Sequence, residues 1–593
     1  GDLNGDGKSD VIIVKNDRIE AYYAPLLLTK NTTPRTCRFI DKFVYENGSS
    51  GNIQNNLSGN QFGNFFGKGN AILWFRRLPY PDIEHHFINF GKRECQNWVT
   101  SISDGMGNKF SFEYDYLSNP DFCHTSPGLV SSTDMVKIIT IPFRALRSLS
   151  TTNVSENVME TEYKYQNLYY HSKGRGILGF EETSVADITN NIKTVNKTRY
   201  ASINRLSVPY LLPESCMTYI TSDNENTLIK LIDYDYVFIG GTSVRLQMFP
   251  LAMQLDNQIE RNYDMNGEYL NSVITEYDYD NMSSGSETFY GYGNIKTIKK
   301  GIADESEISH FDLCNFKETT NITYEKEIVD KWIVDRKKKV VSTSSINKEQ
   351  NASGIDDNII QCVSYEYNTS KPHLVSSVKT YSDNNLSDSL MTEVRYSYSF
   401  NGNLISSITE TLSAPNDDNA ISRSTVTQYS SDYNYKFPTK TTNALGYETT
   451  TKYDEAFGWK TSETDANGLS TIIDNDFFGI NTCVITADGL ESAAALRWSD
   501  GHPDAPANAA YYSWSQNSGE YPALTFYHKT GAELRNVTYG FSGEEIYVDK
   551  FYDAKGNLSG ESLPYKKSAG IGSVMYYSYD ELNRLVRTDY PDN

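Results

Sequence analysis

Hydrophobic and polar residues alternate one by one over long stretches of the chain. Three clear sets of alternate, mainly hydrophobic positions are Phe110, Phe112, Tyr114 and Tyr116; Met159, Thr161, Tyr163 and Tyr165; and Val394, Tyr396, Tyr398 and Phe400. Mostly polar side chains occupy the positions between them. Because successive side chains of a strand point to opposite faces, this period of two predicts β-strands with one face towards a core or lumen and the other towards water. The pattern therefore predicts an all-β fold.

Turn glycines divide the later part of the chain at nearly even intervals. The glycines are Gly446, Gly458, Gly468, Gly479 and Gly489. Such spacing between alternating runs is typical of a continuous antiparallel sheet, in which each glycine supplies the positive φ of a tight turn. The same pattern returns in residues 552–556 and 579–585. We interpret these segments as tandem β-hairpins.

A lone hairpin of this kind cannot bury its apolar face, so neighbouring hairpins must stack and the sheet must curl or close. We therefore predict a wrapped shell with few helices, and we allow a short helical turn only at residues 490–496, which include three consecutive alanines. We expect residues 313–358 to form strands with long solvated connections. Residues 337–339 are three lysines. We interpret them as a solvated strand edge, with a basic patch as the alternative.

Composition supports a β-rich protein. The 593 residues include 44 Tyr and 26 Phe, and aromatic side chains favour strands. The formal net charge of -22 disfavours a nucleic-acid partner, because binding phosphate requires clustered Lys and Arg. No apolar run approaches the roughly 18 residues of a spanning helix, so we predict no membrane span.

The seven cysteines are scattered and form no CxxC pair. They are Cys37, Cys95, Cys123, Cys216, Cys314, Cys362 and Cys483. None has the close Cys/His spacing of a zinc site. We predict that most are buried free thiols, and disulfides remain the alternative because so sparse a set does not fix the redox compartment.

The first ten residues carry oxygen-bearing side chains at alternate positions with glycines between them. We predict a structural calcium site formed by the side chains of Asp2, Asn4, Asp6 and Asp10 and by the backbone carbonyl of Lys8. The alternative is an empty Asn-Gly turn. Because the loop is followed by a strand pattern instead of a helix, it resembles the FG-GAP/VCBS calcium loop of β-propeller blades.

Two other glycine-rich segments are assigned no ligand. Residues 63–74 keep the glycine framework of the first loop, but they place apolar and basic residues where carboxylates belong, so we predict no metal there. Residues 174–180 (GRGILGF) lack the Lys-Ser/Thr of a phosphate-binding loop, and no helical pattern follows them. We interpret the segment as a tight turn with Arg175 paired to a carboxylate.

Candidates for catalysis are weak. His85 and His86 are adjacent, so a strand directs them to opposite faces and they cannot chelate one metal together. His502 lies in a turn-like segment, and neither GxSxG nor HExxH occurs. We predict a protein that is not an enzyme, with no catalytic residues and no cofactor other than calcium.

The order of these motifs is similar to one known family. Residues 103–109 (SDGMGNK), 163–165 (YKY) and 174–180 resemble the SpvB-like and middle domains of the B components of bacterial insecticidal toxin complexes. The segments at 277–280 (YDYD) and 292–295 (YGNI) extend the resemblance, and past residue 440 the chain resembles Rhs/YD repeats, including SLPY at 562–565. This likeness gives four predicted regions: a propeller-like end (1–100), a toxin-complex middle-like region (101–300), further shell strands (301–435) and YD repeats (436–593).

The resemblance implies a hollow spiral of β-hairpins that encloses a C-terminal polypeptide, often a toxin. Starting at Gly1, the chain is expected to continue a longer polypeptide upstream. It lacks the terminal Rhs core motif and any toxin, and the Gly-Arg usual after the repeat's turn is Gly531-Ala532 here. Cargo and self-cleavage therefore remain open at this point.

Three functions compete on this evidence. The first is a secreted, non-catalytic shell that encloses or presents a C-terminal cargo. The second is a cell-surface scaffold or adhesion protein that binds a surface or secretion-system partner. The third, a glycan-active enzyme, ranks last because no pair of carboxylates can be chosen from the sequence.

Overall fold

The computed structural model describes most of the chain from residue 98 onward and six short strands before it. The described ranges are 11–14, 18–23, 41–46, 58–63, 72–77, 84–89, 98–132, 135–141, 143–203, 208–222, 225–239, 252–279, 293–304, 310–346, 359–383, 390–412 and 422–591. The chain divides into two compact units, Gly1–Pro213 and Glu214–Asn593. The four regions predicted from the resemblance stay a prediction.

The described part of the first unit consists of strands. They are β1 (Val11–Val14), β2 (Arg18–Tyr23), β3 (Asp41–Glu46), β4 (Ser58–Gly63), β5 (Ile72–Arg77), β6 (Glu84–Asn89), β7 (Ser101–Ser103), β8 (Lys109–Tyr116), β9 (Cys123–His124), β10 (Gly128–Ser131), β11 (Val136–Ile139), β12 (Arg144–Thr152), β13 (Val158–His171), β14 (Gly176–Asp187) and β15 (Ile192–Ile203). Strands β1–β3 and β4–β6 form two separate antiparallel meanders. Strand β13 pairs with β12 and β14 and lies at the centre of the remaining sheet.

The second unit begins within β16 and is a long succession of strands. They are β16 (Val208–Ser222), β17 (Glu225–Ile239), β18 (Ala252–Tyr263), β19 (Tyr269–Tyr279), β20 (Ile295–Ala303), β21 (Phe316–Tyr324), β22 (Lys337–Ile346), β23 (Ile359–Tyr367), β24 (Val375–Tyr381), β25 (Leu390–Tyr398), β26 (Leu404–Leu412), β27 (Ser422–Tyr429), β28 (Pro438–Thr442), β29 (Glu448–Tyr453), β30 (Lys460–Thr464), β31 (Ser470–Asn475), β32 (Asn481–Ile485), β33 (Glu491–Trp498), β34 (Ala509–Asn517), β35 (Ala523–His528), β36 (Glu533–Tyr539), β37 (Glu545–Tyr552), β38 (Leu558–Ser562), β39 (Tyr565–Lys566), β40 (Val574–Tyr579) and β41 (Leu585–Asp589). Short 3-10 turns occur at Phe311–Leu313, Val329–Lys331 and Ser431–Tyr433.

The strands of the second unit form an antiparallel sheet in which nearly every strand pairs with its neighbours in sequence. Such a meander needs only short turns, which the evenly spaced glycines provide. The Arg584 guanidinium contacts the Met265 Sδ at 3.6 Å across 319 residues of sequence. The turn after β40 therefore meets the turn after β18. The predicted all-β fold is confirmed, with long antiparallel sheets in both units.

Burial along the strands follows the predicted alternation. In β29 the side chains of Thr449, Thr451 and Tyr453 are half-buried, whereas Glu448 and the other intervening residues are exposed. We call the side of the sheet that carries Thr451 and Tyr453 the tyrosine face. Fully buried side chains gather in small clusters such as Phe526, Val537 and Tyr547, or Ile274 and Cys314.

Two details of the predicted strand pattern are wrong. Residues 490–496 do not form a helical turn, because Ala493, Ala494 and Ala495 lie in β33 and pair with β34. The ladder of backbone hydrogen bonds prevails over the helical propensity of alanine. Phe400 does not continue the buried face of β25, since it lies beyond Tyr398 at the turn and is 95% exposed.

The lysine run at residues 337–339 also differs from its interpretation. It begins β22, and Lys339 pairs with Thr323 of β21 on one side and with Ser364 of β23 on the other. The run is therefore part of an inner strand and not an edge. Lys337 and Lys338 are exposed, as a solvated segment requires.

Candidate functional site

Many hairpin turns of the chain share one hydrogen-bond pattern. An Asp or Asn that ends a strand accepts two backbone N–H groups, from the residues two and four positions later. Asp465 Oδ1 accepts from Asn467 and Leu469 at 2.9 and 2.8 Å, and Asn443 Oδ1 does the same for its own turn. The glycine three positions after this residue has positive φ, for example +81° at Gly468. The turn glycines were predicted from the sequence. The D-x-x-G spacing, which links the aspartate acceptor to the glycine of the same turn, was missed.

The last residue of several strands is a tyrosine that bridges to the preceding strand of the sheet. Its hydroxyl donates to the backbone carbonyl of a residue at or near the start of that strand. Among the described residues the donor–acceptor pairs are Tyr279–Leu255 (2.5 Å), Tyr324–Ile295 (2.8 Å), Tyr367–Lys337 (2.9 Å), Tyr398–Val375 (2.7 Å), Tyr453–Pro438 (2.9 Å), Tyr552–Glu533 (2.7 Å) and Tyr579–Leu558 (2.8 Å). We call these contacts tyrosine–carbonyl bonds.

The tyrosine–carbonyl bonds lie at strand ends where the register shifts by a β-bulge, as at Tyr552 and Tyr579. The bulge lies in the ladder to the following strand, whereas the hydroxyl bonds to the preceding strand, so the tyrosine fixes the strand end to its other neighbour. Burial raises the pKa of Tyr552 and of Tyr398 above the usual value, which keeps both hydroxyls protonated as donors. The tyrosine of a Tyr-Asp pair thus links the end of its strand to the preceding strand, and the aspartate after it closes the turn.

The sheet forks at β37, and the sequence explains why. Pro564 has no backbone N–H and falls between β38, which ends at Ser562, and β39, which begins at Tyr565. Residues Lys550–Tyr552 of β37 pair with β38, whereas Ile546 and Tyr547 pair with β39. Between these two ladders the Asp549 N–H donates to Ser562 Oγ at 2.8 Å.

A polar cluster fills this fork. We call it the β37 cluster, and its members are Asp504, Arg535, Tyr547, Asp549, Tyr565 and Lys567. Arg535 holds Asp549 through two bonds of 2.5 and 2.9 Å. Lys567 Nζ and the Tyr547 hydroxyl each lie 2.5 Å from Asp504 Oδ1. The Tyr565 hydroxyl donates to Asp549 Oδ2 at 2.7 Å.

Both carboxylates of the cluster are buried, with Asp504 4% and Asp549 5% exposed, and each forms an ion pair, with Lys567 and Arg535 respectively. Burial by itself would raise the pKa of Asp504, but hydrogen bonds from Lys567 and Tyr547 outweigh it and hold the pKa below its usual value. Burial and the hydrogen bond to Asp504 raise the pKa of Tyr547 to about 12. The bond to Asp504 also raises the pKa of Lys567.

The geometry of the β37 cluster is better suited to holding neighbouring strands and loops together than to transferring a proton. A general acid needs a carboxyl group whose pKa lies near the working pH, whereas the pKa of Asp504 is lowered and its oxygen is occupied by two donors. Arg535 also donates to the Asp504 backbone carbonyl at 3.1 Å and stacks over the Tyr547 ring at 4.4 Å. The β37 cluster therefore ties the loop before β34 to β36, β37 and β39.

The predicted calcium ligands Asp2, Asn4, Asp6, Lys8 and Asp10 lie outside the described residues. Most of the second glycine loop, residues 64–71, also lies outside them. Within the part of the chain that the structure describes, no three His, Cys, Asp or Glu side chains come together as a metal site.

Residues 174–180 comprise the end of the turn after β13 and the first five residues of β14, so a strand follows the turn and not the helix of a phosphate-binding loop. Gly174 and Gly176 have φ of +117° and +71°, as the predicted tight turn requires. The Arg175 backbone N–H donates to His171 Nδ1 at 3.2 Å. The predicted carboxylate partner of Arg175 stays a prediction.

The three histidines considered as catalytic candidates lie on one strand and in one turn. His85 and His86 occupy successive positions of β6 and pair with Arg76 and Phe75 of β5. His502 lies in the turn before β34, and its ring packs 5.1 Å from Phe526. Its Nδ1 accepts the Asp504 backbone N–H at 3.2 Å, so its role there is to shape the loop.

The five cysteines among the described residues are free thiols. Cys123, Cys314 and Cys362 are buried, whereas Cys216 and Cys483 are half-buried. Burial raises the pKa of the first three, so they remain protonated and unreactive at neutral pH. No helix in the described ranges is long and apolar enough to cross a membrane.

No protein-family model and no curated protein matches the chain. The fold is similar to that of TcdB2-TccC3 without its hypervariable C-terminal region, with a TM-score of 0.57 at 11% identity over 99% of this chain and 39% of that chain. It is also similar to TcdB2-TccC3-Cdc42, with a TM-score of 0.58 at 12% identity over 99% of this chain and 39% of the other. Intact TcdB2-TccC3 gives 0.54 at 12% identity, over 100% of this chain and 37% of that chain.

At this identity the likeness shows the fold alone, which is the Rhs-shell fold of these toxin-complex chains. The chain spans about two fifths of the length of the solved chains that it matches. The predicted resemblance is therefore confirmed at the level of an Rhs/toxin-complex-like fold. The finer SpvB-like and FG-GAP assignments stay predictions.

Proposed function

We propose that the chain forms part of the wall of a non-catalytic Rhs-repeat β-shell. The shell encloses or presents a polypeptide for toxin or effector delivery. The observation that carries the proposal is the fold likeness to TcdB2-TccC3, which extends over 99% of the chain. The enclosed partner would be a C-terminal segment of the same polypeptide. A secreted or cell-surface location goes with this role.

The hydrogen bonds within and between the hairpins support a role in the wall of a shell. Turn aspartates close many of the hairpins, and tyrosine–carbonyl bonds join several strands to the strands before them, so these hairpins are held by their neighbours. The contact between Arg584 and Met265 brings distant turns of the second unit together, as a curling wall requires. The β37 cluster supports the non-catalytic part of the proposal, because its carboxylates are occupied by cations and hydroxyls.

The test compares accessibility of the two faces in the natural polypeptide that contains the chain. Thr451→Cys reports on the tyrosine face, and Thr450→Cys, one residue away on the same strand, reports on the opposite face. In an enclosing shell we expect a polymer-linked maleimide to add label beyond that on the native cysteines only in the Thr450→Cys protein. A small maleimide should label both variants, and denaturation should make Thr451→Cys accessible to the large reagent.

Equal labelling of both positions by the large reagent in the native protein would overturn enclosure. Single-particle imaging of the same protein gives an independent readout. We expect a hollow particle with internal density, and separate extended lobes would contradict the proposal.

A second candidate function is a cell-surface scaffold, and the exposed aromatic side chains at turn tips favour it. Phe477 and Phe478 are 92% and 87% exposed in the turn between β31 and β32. Exposed aromatic residues are common anchors in protein interfaces. If Phe477→Ser/Phe478→Ser abolished capture of a cell-surface protein while internal density remained, the scaffold function would hold beside the shell.

We also propose that calcium is a structural ligand of the loop formed by Asp2, Asn4, Asp6, Lys8 and Asp10. Carboxylate and carbonyl oxygens at alternate positions suit this ion. Calorimetric titration with calcium chloride should give one binding event that Asp6→Ala removes. An unchanged titration curve in the variant would contradict the assignment.

A further inference from the structure

A groove of about 520 Å³ lies between two neighbouring hairpin turns of the second unit. One turn joins β30 to β31 and the other joins β32 to β33. The lining residues are Glu463, Asp465, Leu469, Thr471, Ile473, Thr486, Ala487 and Asp488. The volume lies within the range of ~300–1,000 Å³ that is usual for ligand pockets.

The strand register places the groove on the tyrosine face. Thr451 pairs with Glu463, and Glu463 pairs with Thr471 on the next strand. Side chains paired across strands share a face, and Ile473, two residues after Thr471, lies on the same side. The groove therefore opens on the less exposed side of the sheet, with Leu469 and Ile473 as its apolar part.

The groove carries negative charge that persists below neutral pH. Backbone hydrogen bonds, chiefly from Leu469, lower the pKa of Asp465, and the hydrogen bond from Thr486 lowers the pKa of Asp488. Glu463 is the third carboxylate and forms an ion pair with Lys460, which is not a lining residue. Carboxylates beside aliphatic side chains are complementary to a ligand that carries both a cation and an apolar group.

Other occupants fit these features less well. A second copy of the chain would bring a formal net charge of -22 towards the same carboxylates. A divalent metal lacks a suitable set of ligands among the described residues. A basic polypeptide segment meets both the charge and the apolar surface.

We propose that this groove binds an extended peptide segment in which lysine or arginine lies beside an aliphatic residue. The cation pairs with a carboxylate that lines the groove (Glu463, Asp465 or Asp488), and the aliphatic side chain packs on Leu469 and Ile473. The proposal goes beyond the shell function in naming a binding surface and the chemistry of its occupant. Binding at the groove and enclosure of a polypeptide are separate properties, so the failure of one leaves the other intact.

The test uses a triple variant that removes charge without removing hydrogen-bond acceptors: Glu463→Gln/Asp465→Asn/Asp488→Asn. Asn443 already closes an equivalent turn with an amide oxygen, so the turn at Asp465 should survive the change. The matched control is Glu448→Gln/Asp454→Asn/Asp476→Asn. It changes the net charge equally at a strand glutamate paired with Lys440 and at two turn aspartates outside the groove.

The probe is a dye-labelled, end-capped glycine-lysine-leucine-lysine-glycine peptide, and fluorescence anisotropy at low ionic strength measures binding to the whole chain. We expect the groove variant to bind at least about tenfold more weakly than the parent, and the control variant to bind within about twofold of it. Added salt should weaken binding to the parent. A peptide with glutamate in place of lysine should not bind.

Three results would overturn the proposal. The first is equal loss of binding in the groove and control variants, which would indicate a general charge effect. The second is unchanged binding in the groove variant. The third is a groove substitution that abolishes self-association or binding of calcium ions alone while peptide affinity stays the same, because the occupant would then be a second copy or a metal.

Discussion

The tyrosine hydroxyl is the residue-scale feature that repeats most regularly in the second unit. The tyrosine–carbonyl bonds recur from Tyr279 to Tyr579, and each joins a strand to the strand before it, at an end where the ladder to the following strand is shifted. The ring adds apolar contact area to the tyrosine face, while the hydroxyl supplies one hydrogen bond. Phenylalanine would supply only the first of these, which explains why these positions carry tyrosine.

Replacing Tyr552 by Phe tests this role. The change removes the donor to the Glu533 carbonyl, so we expect a loss of about 1–2 kcal/mol in the free energy of unfolding of the surrounding hairpins. Urea denaturation followed by circular dichroism measures it. Tyr447→Phe is the control, because Tyr447 is 57% exposed and water can replace the lost hydroxyl contact. Equal effects of the two changes would contradict the prediction.

The β37 cluster predicts a loss of stability at alkaline pH. An unfolded tyrosine ionises near pH 10, whereas the pKa of Tyr547 in the fold is about 12. The neutral form is favoured in the folded state, so its contribution is complete below about pH 10 and falls as the pH rises towards about 12. For the nearly buried Tyr547 this contribution is on the order of 2 kcal/mol.

Tyr547→Phe checks this pH dependence. The variant should be less stable than the parent at pH 7, and the difference should shrink above about pH 10 as the parent loses its own contribution. Thermal melts across the pH range, compared with the tyrosinate absorbance of each protein, provide the measurement. A stability difference that stays constant with pH would show that the Tyr547 hydroxyl does not titrate with unfolding.

At the scale of the element, the hairpin turn combines a side-chain acceptor with a glycine of positive φ. Some of these glycines also lie against an aromatic ring that precedes an earlier strand. A Cβ built at Gly479 would lie 2.6 Å from Trp459 Nε1, whereas nothing lies within 4 Å of a Cβ at Gly468. Both residues have φ of +81°, so the two positions differ in packing and not in backbone strain.

Gly479→Ala and Gly468→Ala therefore form a matched pair. Both should lose about 1 kcal/mol or more from the positive φ, and Gly479→Ala should lose a further ~1–3 kcal/mol by displacing Trp459. Trp459 stacks on Phe457 with ring centres 4.5 Å apart, so its displacement should also change tryptophan fluorescence. Identical melting temperatures for the two variants would contradict the packing argument.

On the scale of the whole molecule, stability is spread along a row of hairpins. Each strand of the second unit pairs mainly with its sequence neighbours, so stability is approximately a sum of local terms. Among the described residues, the buried side chains form small clusters, such as that of Phe526 and Val537, instead of one large core. Damage to one hairpin should then remain close to it.

Hydrogen exchange of the Gly479→Ala protein measures this locality. We expect faster amide exchange in β30–β33, where the altered turn lies, and unchanged exchange in β18 and β19. The parent protein and Gly468→Ala serve as references. Uniformly faster exchange across the second unit would indicate global cooperativity instead of local stability.

Much of the fold was readable from the sequence because its signals are local. The alternation around Tyr114, the turn glycines from Gly446 onward and the strand before Gly174 each depend on a few consecutive residues. The errors in the predicted strands were also confined to short segments. The alanines of β33 have helical propensity but pair with β34, and Phe400 lies one step beyond its strand.

By itself, the sequence determined the strand type, the approximate turn positions and the face on which the tyrosines lie, since period-two alternation and turn chemistry act within single hairpins. The tertiary structure alone decided which distant groups meet. Asp504 and Lys567 are 63 residues apart, and Arg584 and Met265 are 319 apart. These contacts depend on the register of many successive strands and on the fork at β37, where small shifts accumulate that no local pattern encodes.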